Sequence, residues 1–194
     1  MNRRSLLTFV VSFACLSVSW SAPANEAEQF LKKAVDEVLA VSDRAGNPSA
    51  LADKVRPILQ RHISFETMTR RAVGPGWRQF TPDQQQKATQ LFTTLVIRTY
   101  SSKFTPGERP AMSYQAAVAP AAGRVDVPTK LVYRGSRYSV TYRLEQEGSW
   151  KITDVVIEGV SLIANYRTQL DAKFKDGGAP AVISSLEQSV SRPK

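Results

Sequence analysis

The sequence predicts an α+β fold in which a curved antiparallel sheet of about four strands is covered by helices, and three observations carry that prediction. Residues 25–104 hold amphipathic helical stretches, residues 112–157 hold short alternating segments, and residues 162–190 return to helical spacing. Helices, then a meander of neighbouring strands, then helices is the order of an α+β domain rather than of repeated βαβ units. The second observation is Thr81-Pro82-Asp83-Gln84, which combines a capping hydroxyl, a first-turn proline and a capping glutamine at the start of a long helix. The third is the stretch from Trp150 to Leu162, where apolar spacing changes from period two to period 3.6, as it does where a sheet face joins a packed helix.

Each element follows from local signals. Residues 25–41 read as a helix: Asn25 and Glu28 make a capping-box-like start, and Phe30, Leu31, Ala34, Val35 and Val38 share one stripe. Gly46 stops it, and Asn47-Pro48 caps a second helix presenting Leu51, Val55, Ile58 and Leu59, which Pro57 is expected to kink or restart. Ser64 caps a short helix ending at Gly74, and Pro75-Gly76 makes a turn. The helix opened by Thr81 carries Leu91, Phe92, Leu95, Val96, Tyr100 and Phe104 on a wide stripe and is expected to lie across the sheet. Thr105-Pro106-Gly107 and Pro110 mark the change to strands at 112–119, 124–133, 138–145 and 150–157, the last three joined as hairpins. Leu162, Ile163, Tyr166, Leu170 and Phe174 form a further helical stripe, Asp176-Gly177-Gly178 ends it, and 179–190 forms a last helix. This order resembles the cone-shaped cystatin or nuclear-transport-factor-like architecture, in which an apolar cavity often lies between sheet and helix.

The first 24 residues read as an export signal rather than as fold. Arg3 and Arg4 form a basic start, Leu6 to Trp20 is largely apolar but too short to span a membrane, and Ala22-Pro23-Ala24 offers a cleavage site. Residues 1–24 are thus expected to be a secretory signal peptide and 25–194 a single exported domain. Arg3-Arg4-Ser5-Leu6-Leu7 weakly resembles a twin-arginine signal, so both export routes stay open. Cys15 after Phe13-Ala14 loosely resembles a lipoprotein cleavage site, although Ser12 stands where an aliphatic residue is usual.

Cleavage after Ala24 removes the only cysteine and leaves His62 as the one histidine. Disulfides, thiol nucleophiles and thiolate metal sites then drop out together. The formal charge of +9 becomes +7 once Arg3 and Arg4 are gone. The basic residues are scattered, with no aromatic-interleaved block, and export also argues against nucleic acid. The surplus suits a solvated surface, an anionic membrane or an acidic protein partner. Asp126 and Asp154 are candidate general bases, but no second carboxylate, His or Lys is spaced to pair with either. Asp154 sits where the strand pattern breaks and is expected to bond backbone amides. No enzyme activity and no metal is expected.

Phe65-Glu66-Thr67-Met68, Val73 to Trp77, Thr81-Pro82-Asp83-Gln84 with its Phe92 helix, Trp150-Lys151-Ile152, and Ile157 to Leu162 with Asn165-Tyr166-Arg167 occur in one order. Together, over residues 26–190, they resemble the MlaC or toluene-tolerance family of periplasmic phospholipid carriers. Pro75-Gly76 departs from that pattern, since bulkier residues are more usual there in the family. The resemblance implies a monomeric carrier with no catalytic residues and no cofactor. Its cargo is one glycerophospholipid, shuttled between an outer-membrane lipoprotein complex and an inner-membrane ABC transporter in support of outer-membrane lipid asymmetry.

Such a carrier must hide two acyl chains. About 30 methylenes at about 0.8 kcal/mol each would cost about 24 kcal/mol if exposed, so a cavity near the top of the ordinary pocket range, about 1,000 Å³, is expected. The helices from Thr81 and from Val160 would move apart from the sheet to admit the chains, with the headgroup left in water. That implies weak headgroup selectivity and exchange at a docked partner. Trp77, Phe92, Val96, Tyr100, Leu131, Tyr142, Ile152 and Ile157 are expected to contribute to the wall. The alternatives are a carrier for a hopanoid-like apolar lipid and an exported cone-fold enzyme or adaptor. The direction of transport is not written in the sequence, because one cavity serves both journeys.

Overall fold

A computed structural model describes residues 21–192. Most of the expected export signal therefore lies outside the described residues. The fold is α+β: a curved, open antiparallel sheet with helices contributed by both ends of the chain.

α1 (Ser21–Ser42) begins four residues before the expected start, because Pro23 in its first turn is compatible with helix and Asn25 is simply carried along. It buries Ala27, Leu31 and Ala34. α2 (Pro48–His62) opens as expected, with the Asn47 side chain accepting from the Ala50 N–H at 2.9 Å. It runs through Pro57 with no restart; Val55 and Ile58, buried on either side, hold the helical course across the missing donor. α3 (Phe65–Val73) ends at Gly74, whose φ of +75° favours glycine. The Ser64 hydroxyl does not cap it and instead donates to Glu147 at 2.8 Å. Pro75-Gly76 is part of a 3₁₀ turn, Gly74–Gln79, rather than a simple reverse turn. A Cβ on Gly76 would lie 2.7 Å from the Phe174 ring, so that ring occupies the space a bulkier residue would take.

α4 (Pro82–Ser101) carries the complete capping box. The Gln84 N–H donates to Thr81 Oγ1 at 3.3 Å, and the Thr81 N–H donates to Gln84 Oε1 at 2.9 Å. α4 does not pack directly on the sheet, as a helix laid across it would; it packs chiefly on α2, α3 and a last helix, α5 (Leu162–Ser191). Phe92 shows why, since its fully buried ring meets Tyr166 of α5 edge-on at 5.0 Å. α5 is interrupted at Gly177 and Gly178, as the glycine pair indicated.

Six strands stand where four were expected: β1 (Ala111–Tyr114), β2 (Val118–Ala121), β3 (Arg124–Tyr133), β4 (Ser136–Glu147), β5 (Ser149–Ile157) and β6 (Val160–Ser161). Their order is β1-β3-β4-β5-β6, with β2 also on β3. The expected strand 112–119 splits because it pairs with β3 on the side of Pro128. That residue accepts from the Gln115 N–H at 2.9 Å but has no N–H to return, so the ladder breaks there. Arg143 pairs with Asp154 and Leu144 with Ile152, leaving Thr153 as the extra residue of a bulge. That bulge is the break in pattern seen in the sequence.

The core divides in two. One part lies among α2, α3, α4 and α5, and the other between α1 and the inner face of the sheet, where Ala27 and Leu31 meet Val125, Val127, Leu144 and Ile152.

Candidate functional site

The two cores part company toward the hairpin end of the sheet. Along β3 the inward residues are Val125, Val127, Thr129 and Leu131, and on β4 they pair with Leu144, Tyr142, Val140 and Tyr138. α1 covers the first of these rows. Further along, Leu131, Val140, Tyr142, Val155 and Ile157 face Val96, Ile97 and Tyr100 of α4 across a cavity of about 290 Å³. Val35, Val38 and Leu39 of α1, Leu51, Val55 and Leu59 of α2, and Phe65 and Met68 of α3 complete a hydrocarbon wall.

The few polar groups on the wall, Ser42, Ser101, Thr105 and Glu108, belong to the C-terminal ends of α1 and α4 and the segment after α4. That segment, 102–110, crosses beside the cavity and is tied down on both flanks. Arg109 pairs with Asp43, and Arg134 pairs with Glu108 at 2.6 Å. The Thr105 N–H donates to the Tyr133 hydroxyl at 2.8 Å, while Phe104 packs on the Tyr133 ring at 5.2 Å. Hydrogen bonds from Arg109 and Arg134 hold the Asp43 and Glu108 carboxyls below their ordinary values. Burial pushes the Tyr142 phenol up to about 12 and raises that of Tyr100, so both hydroxyls stay neutral at any ordinary pH.

Of the eight residues the sequence pointed to, the structure brings Val96, Tyr100, Leu131, Tyr142 and Ile157 to the cavity. Trp77, Phe92 and Ile152 lie away from it. Trp77 is buried against Phe80 in the 3₁₀ turn, with ring centroids 5.3 Å apart, and Phe92 is spent on Tyr166. Ile152 is buried in the sheet–α1 core, and its carbonyl accepts the Ser64 N–H at 3.0 Å. All three are apolar residues that pack one core completely and so reach neither its edge nor the gap. The wall residues contributed by α1 and α2 were visible only as helical stripes. Nothing in a stripe says whether it meets side chains or space. Phe104 was legible only as the end of the α4 stripe, Met112 as the start of a strand and Pro110 as the break between them, and none of these signals pointed to a cavity wall.

Neither of the two candidate bases lines the cavity. Asp154 is buried and accepts from the Val155 N–H at 2.8 Å, the Ile163 N–H at 3.2 Å, the Ser161 hydroxyl at 2.6 Å and Arg143 at 3.1 Å. It ties the bulge to the start of α5. Asp126 lies 3.9 Å from the same arginine, and burial raises its carboxyl.

A wider, open groove of about 440 Å³ between α2 and α4 shares Ile63 and Phe65 with the cavity, but Arg56, Gln60, Thr89, Gln90, Thr93 and Thr94 make it polar. Among the described residues no cluster of three or more His, Cys, Asp or Glu side chains is placed to hold a metal, and no helix is long and apolar enough to cross a membrane. The cavity's one carboxylate, Glu108, is already engaged by Arg134. What such a wall can do is withdraw hydrocarbon from water.

A family model described as MlaC protein matches residues 28–188. The structure is similar to that of a phospholipid-binding protein from Ralstonia solanacearum in complex with a phospholipid. The TM-score is 0.78 at 29% sequence identity, covering 86% of this chain and 97% of that one. No curated protein sequence matches significantly.

Proposed function

The chain belongs to the MlaC family, and from that membership we propose that it is a periplasmic phospholipid carrier whose cavity encloses the acyl chains of its cargo. The observation that supports this best is the hydrocarbon wall between the two cores, on a fold shared with a phospholipid-bound relative. Leu131, Val140, Tyr142, Val155 and Ile157 on the sheet and Val96 and Tyr100 on α4 are the side chains we assign to tail contact. Such residues on opposite walls stabilise a tail by about 0.8 kcal/mol for each methylene removed from water.

The cavity is smaller than the 1,000 Å³ or so that two tails call for; at about 290 Å³ it stands at the lower limit of ordinary pockets. Loading therefore widens it. α4 is the wall best able to retreat, because it faces the sheet across the cavity rather than packing on it. The headgroup stays near Ser42, Thr105 and Glu108, where water can solvate it. We further propose that the carrier shuttles lipid between an outer-membrane lipoprotein complex and an inner-membrane ABC transporter, supporting outer-membrane lipid asymmetry. On this reading the chain is no enzyme and needs no cofactor.

The test is organic extraction of the purified protein followed by mass spectrometry. A two-tailed glycerophospholipid is expected at up to one per chain. A polycyclic lipid would replace the cargo, and a protein that carries no lipid and takes none from detergent-solubilised phospholipid would end the carrier reading.

A further inference from the structure

The end of the sheet that holds the cavity is also where two of its hairpins turn. β3 joins β4 through Arg134-Gly135, with φ of 49° and 75°, and β5 joins β6 through Glu158-Gly159, with φ of 50° and 79°. These are two-residue turns whose twist matches that of the strands. The cavity wall runs out along the strands to them. Leu131 lines the cavity and pairs with Tyr138, so the Tyr138 ring stands on the same face of the sheet. Ile157 lines the cavity and pairs with Val160. Tyr138 is 38% exposed and Val160 62% exposed. The apolar surface of the cavity thus continues past its mouth onto the outside of the molecule.

Cations surround this rim. Arg134 lies at the β3–β4 turn, Lys130 and Arg137 stand on the outward face of that hairpin, opposite to Leu131 and Tyr138, and Arg109 and Lys103 lie on the neighbouring segment. The acidic groups facing them are Asp43, Glu108 and Glu158. Asp43 and Glu108 are matched by Arg109 and Arg134, and Glu158 accepts from the Ser139 N–H. Lys103, Lys130 and Arg137 are exposed, and the rim as a whole is net positive.

We infer that this rim docks end-on, by its hairpin tips, on the surface of an anionic lipid bilayer, with Tyr138 and Val160 entering the headgroup level from the cavity face of the sheet and Lys130 and Arg137 meeting lipid phosphates from the outward face. The inference rests on the carrier reading and extends it, because the cavity mouth then faces a source of cargo directly. Tyrosine is suited to the membrane interface, where its ring is sheltered and its hydroxyl stays wet. Each basic residue near an anionic surface adds attraction that falls away within a Debye length. Two half-exposed apolar side chains are too few to anchor a protein stably, so docking is transient, as a carrier requires. They are also too few for the buried core of a specific protein interface, which favours a lipid surface over a protein partner.

The experiment is vesicle flotation of the mature chain with phosphatidylglycerol-rich and with phosphatidylcholine vesicles, alongside extraction of its bound lipid. The wild type is expected to partition about tenfold more strongly onto the anionic vesicles, less so as salt is raised. The Tyr138→Asp/Val160→Asp and Lys130→Glu/Arg137→Glu double variants should each lose about tenfold while keeping their circular dichroism and their bound phospholipid. Equal partition onto both vesicle types, or variants that float like the wild type, would overturn the inference. Flotation that fails while phospholipid is still extracted also overturns it, and leaves the carrier reading standing. Rim variants that keep vesicle binding but no longer exchange lipid with protein-containing membranes would reassign the rim to a protein partner.

Discussion

Val96→Trp separates a cavity wall from a packed core. Val96 is 7% exposed on α4 and faces Leu131, Val140 and Tyr142 across the cavity. The indole adds about seven heavy atoms on that side, displacing about as many methylenes of a bound tail. At about 0.8 kcal/mol each that is a ceiling near 5–6 kcal/mol. Widening of the wall recovers part of this, so a net loss of about 3 kcal/mol, about a hundredfold in lipid affinity, is expected. Stability should change by less than about 1.5 kcal/mol, because the ring enters space rather than occupied volume. Ile152→Trp is the contrast: Ile152 is packed against α1 with Ala27 and Leu31, and the added volume has nowhere to go. That variant should lose stability first, by about 1–3 kcal/mol or more, with its lipid content following only the folded fraction. Extraction mass spectrometry gives occupancy, and thermal unfolding gives stability. Full occupancy in a folded Val96→Trp protein would remove α4 from the wall and with it the assignment of this cavity to tails.

Three further outcomes follow from the structure. Asp154→Ala strips the acceptor from two backbone N–H groups, Ser161 and Arg143, and should cost about 3–4 kcal/mol, lowering Tm by roughly 10 °C; an unchanged Tm would show that α5 is not tied to the bulge. Gly76→Ala forces the Phe174 ring off its stack on Phe80, whose centroid lies 6.1 Å away, and should cost about 1–3 kcal/mol in urea unfolding; a neutral result would mean the ring has room to move. The Asp43 and Glu108 carboxyls are held below 3.8 and 4.5 chiefly by hydrogen bonds from Arg109 and Arg134, so their contribution to holding segment 102–110 is present above those values and lost as pH falls through the lowered ones. Release of a fluorescent phospholipid should accelerate below about pH 4, and Arg109→Gln/Arg134→Gln should release quickly even at neutral pH; a double variant as slow as the wild type would show that these pairs do not restrain the mouth.

Much of the framework was legible because local chemistry decides it. Thr81 and Gln84 satisfy the orphan donors of a helix start whatever packs above them, and Asn47-Pro48 and Gly177-Gly178 act at similar range. The break at Thr153 was readable as a fault in alternation, though not as a bulge whose next residue holds the start of α5. The split of the first strand hung on Pro128, in a different strand. Its missing donor matters only once register is known.

The sequence by itself determined the order of elements, their caps and turns, the apolar face of each, and the family, because those depend on residues within a turn or two of one another and on motifs kept in order. Tertiary structure alone decided which apolar faces meet and which are held apart. Phe92, Val96 and Tyr100 share one stripe of α4, yet Phe92 is closed off by Tyr166 while Val96 and Tyr100 border space. The difference arises because α1 shelters only the inner rows of the sheet near Val125 and Val127, leaving the rows at Leu131 and Ile157 to face the helices at a distance. Hydrophobicity drives a side chain out of water without saying what it will touch, and a cavity is the place where that question is settled by the paths of whole elements.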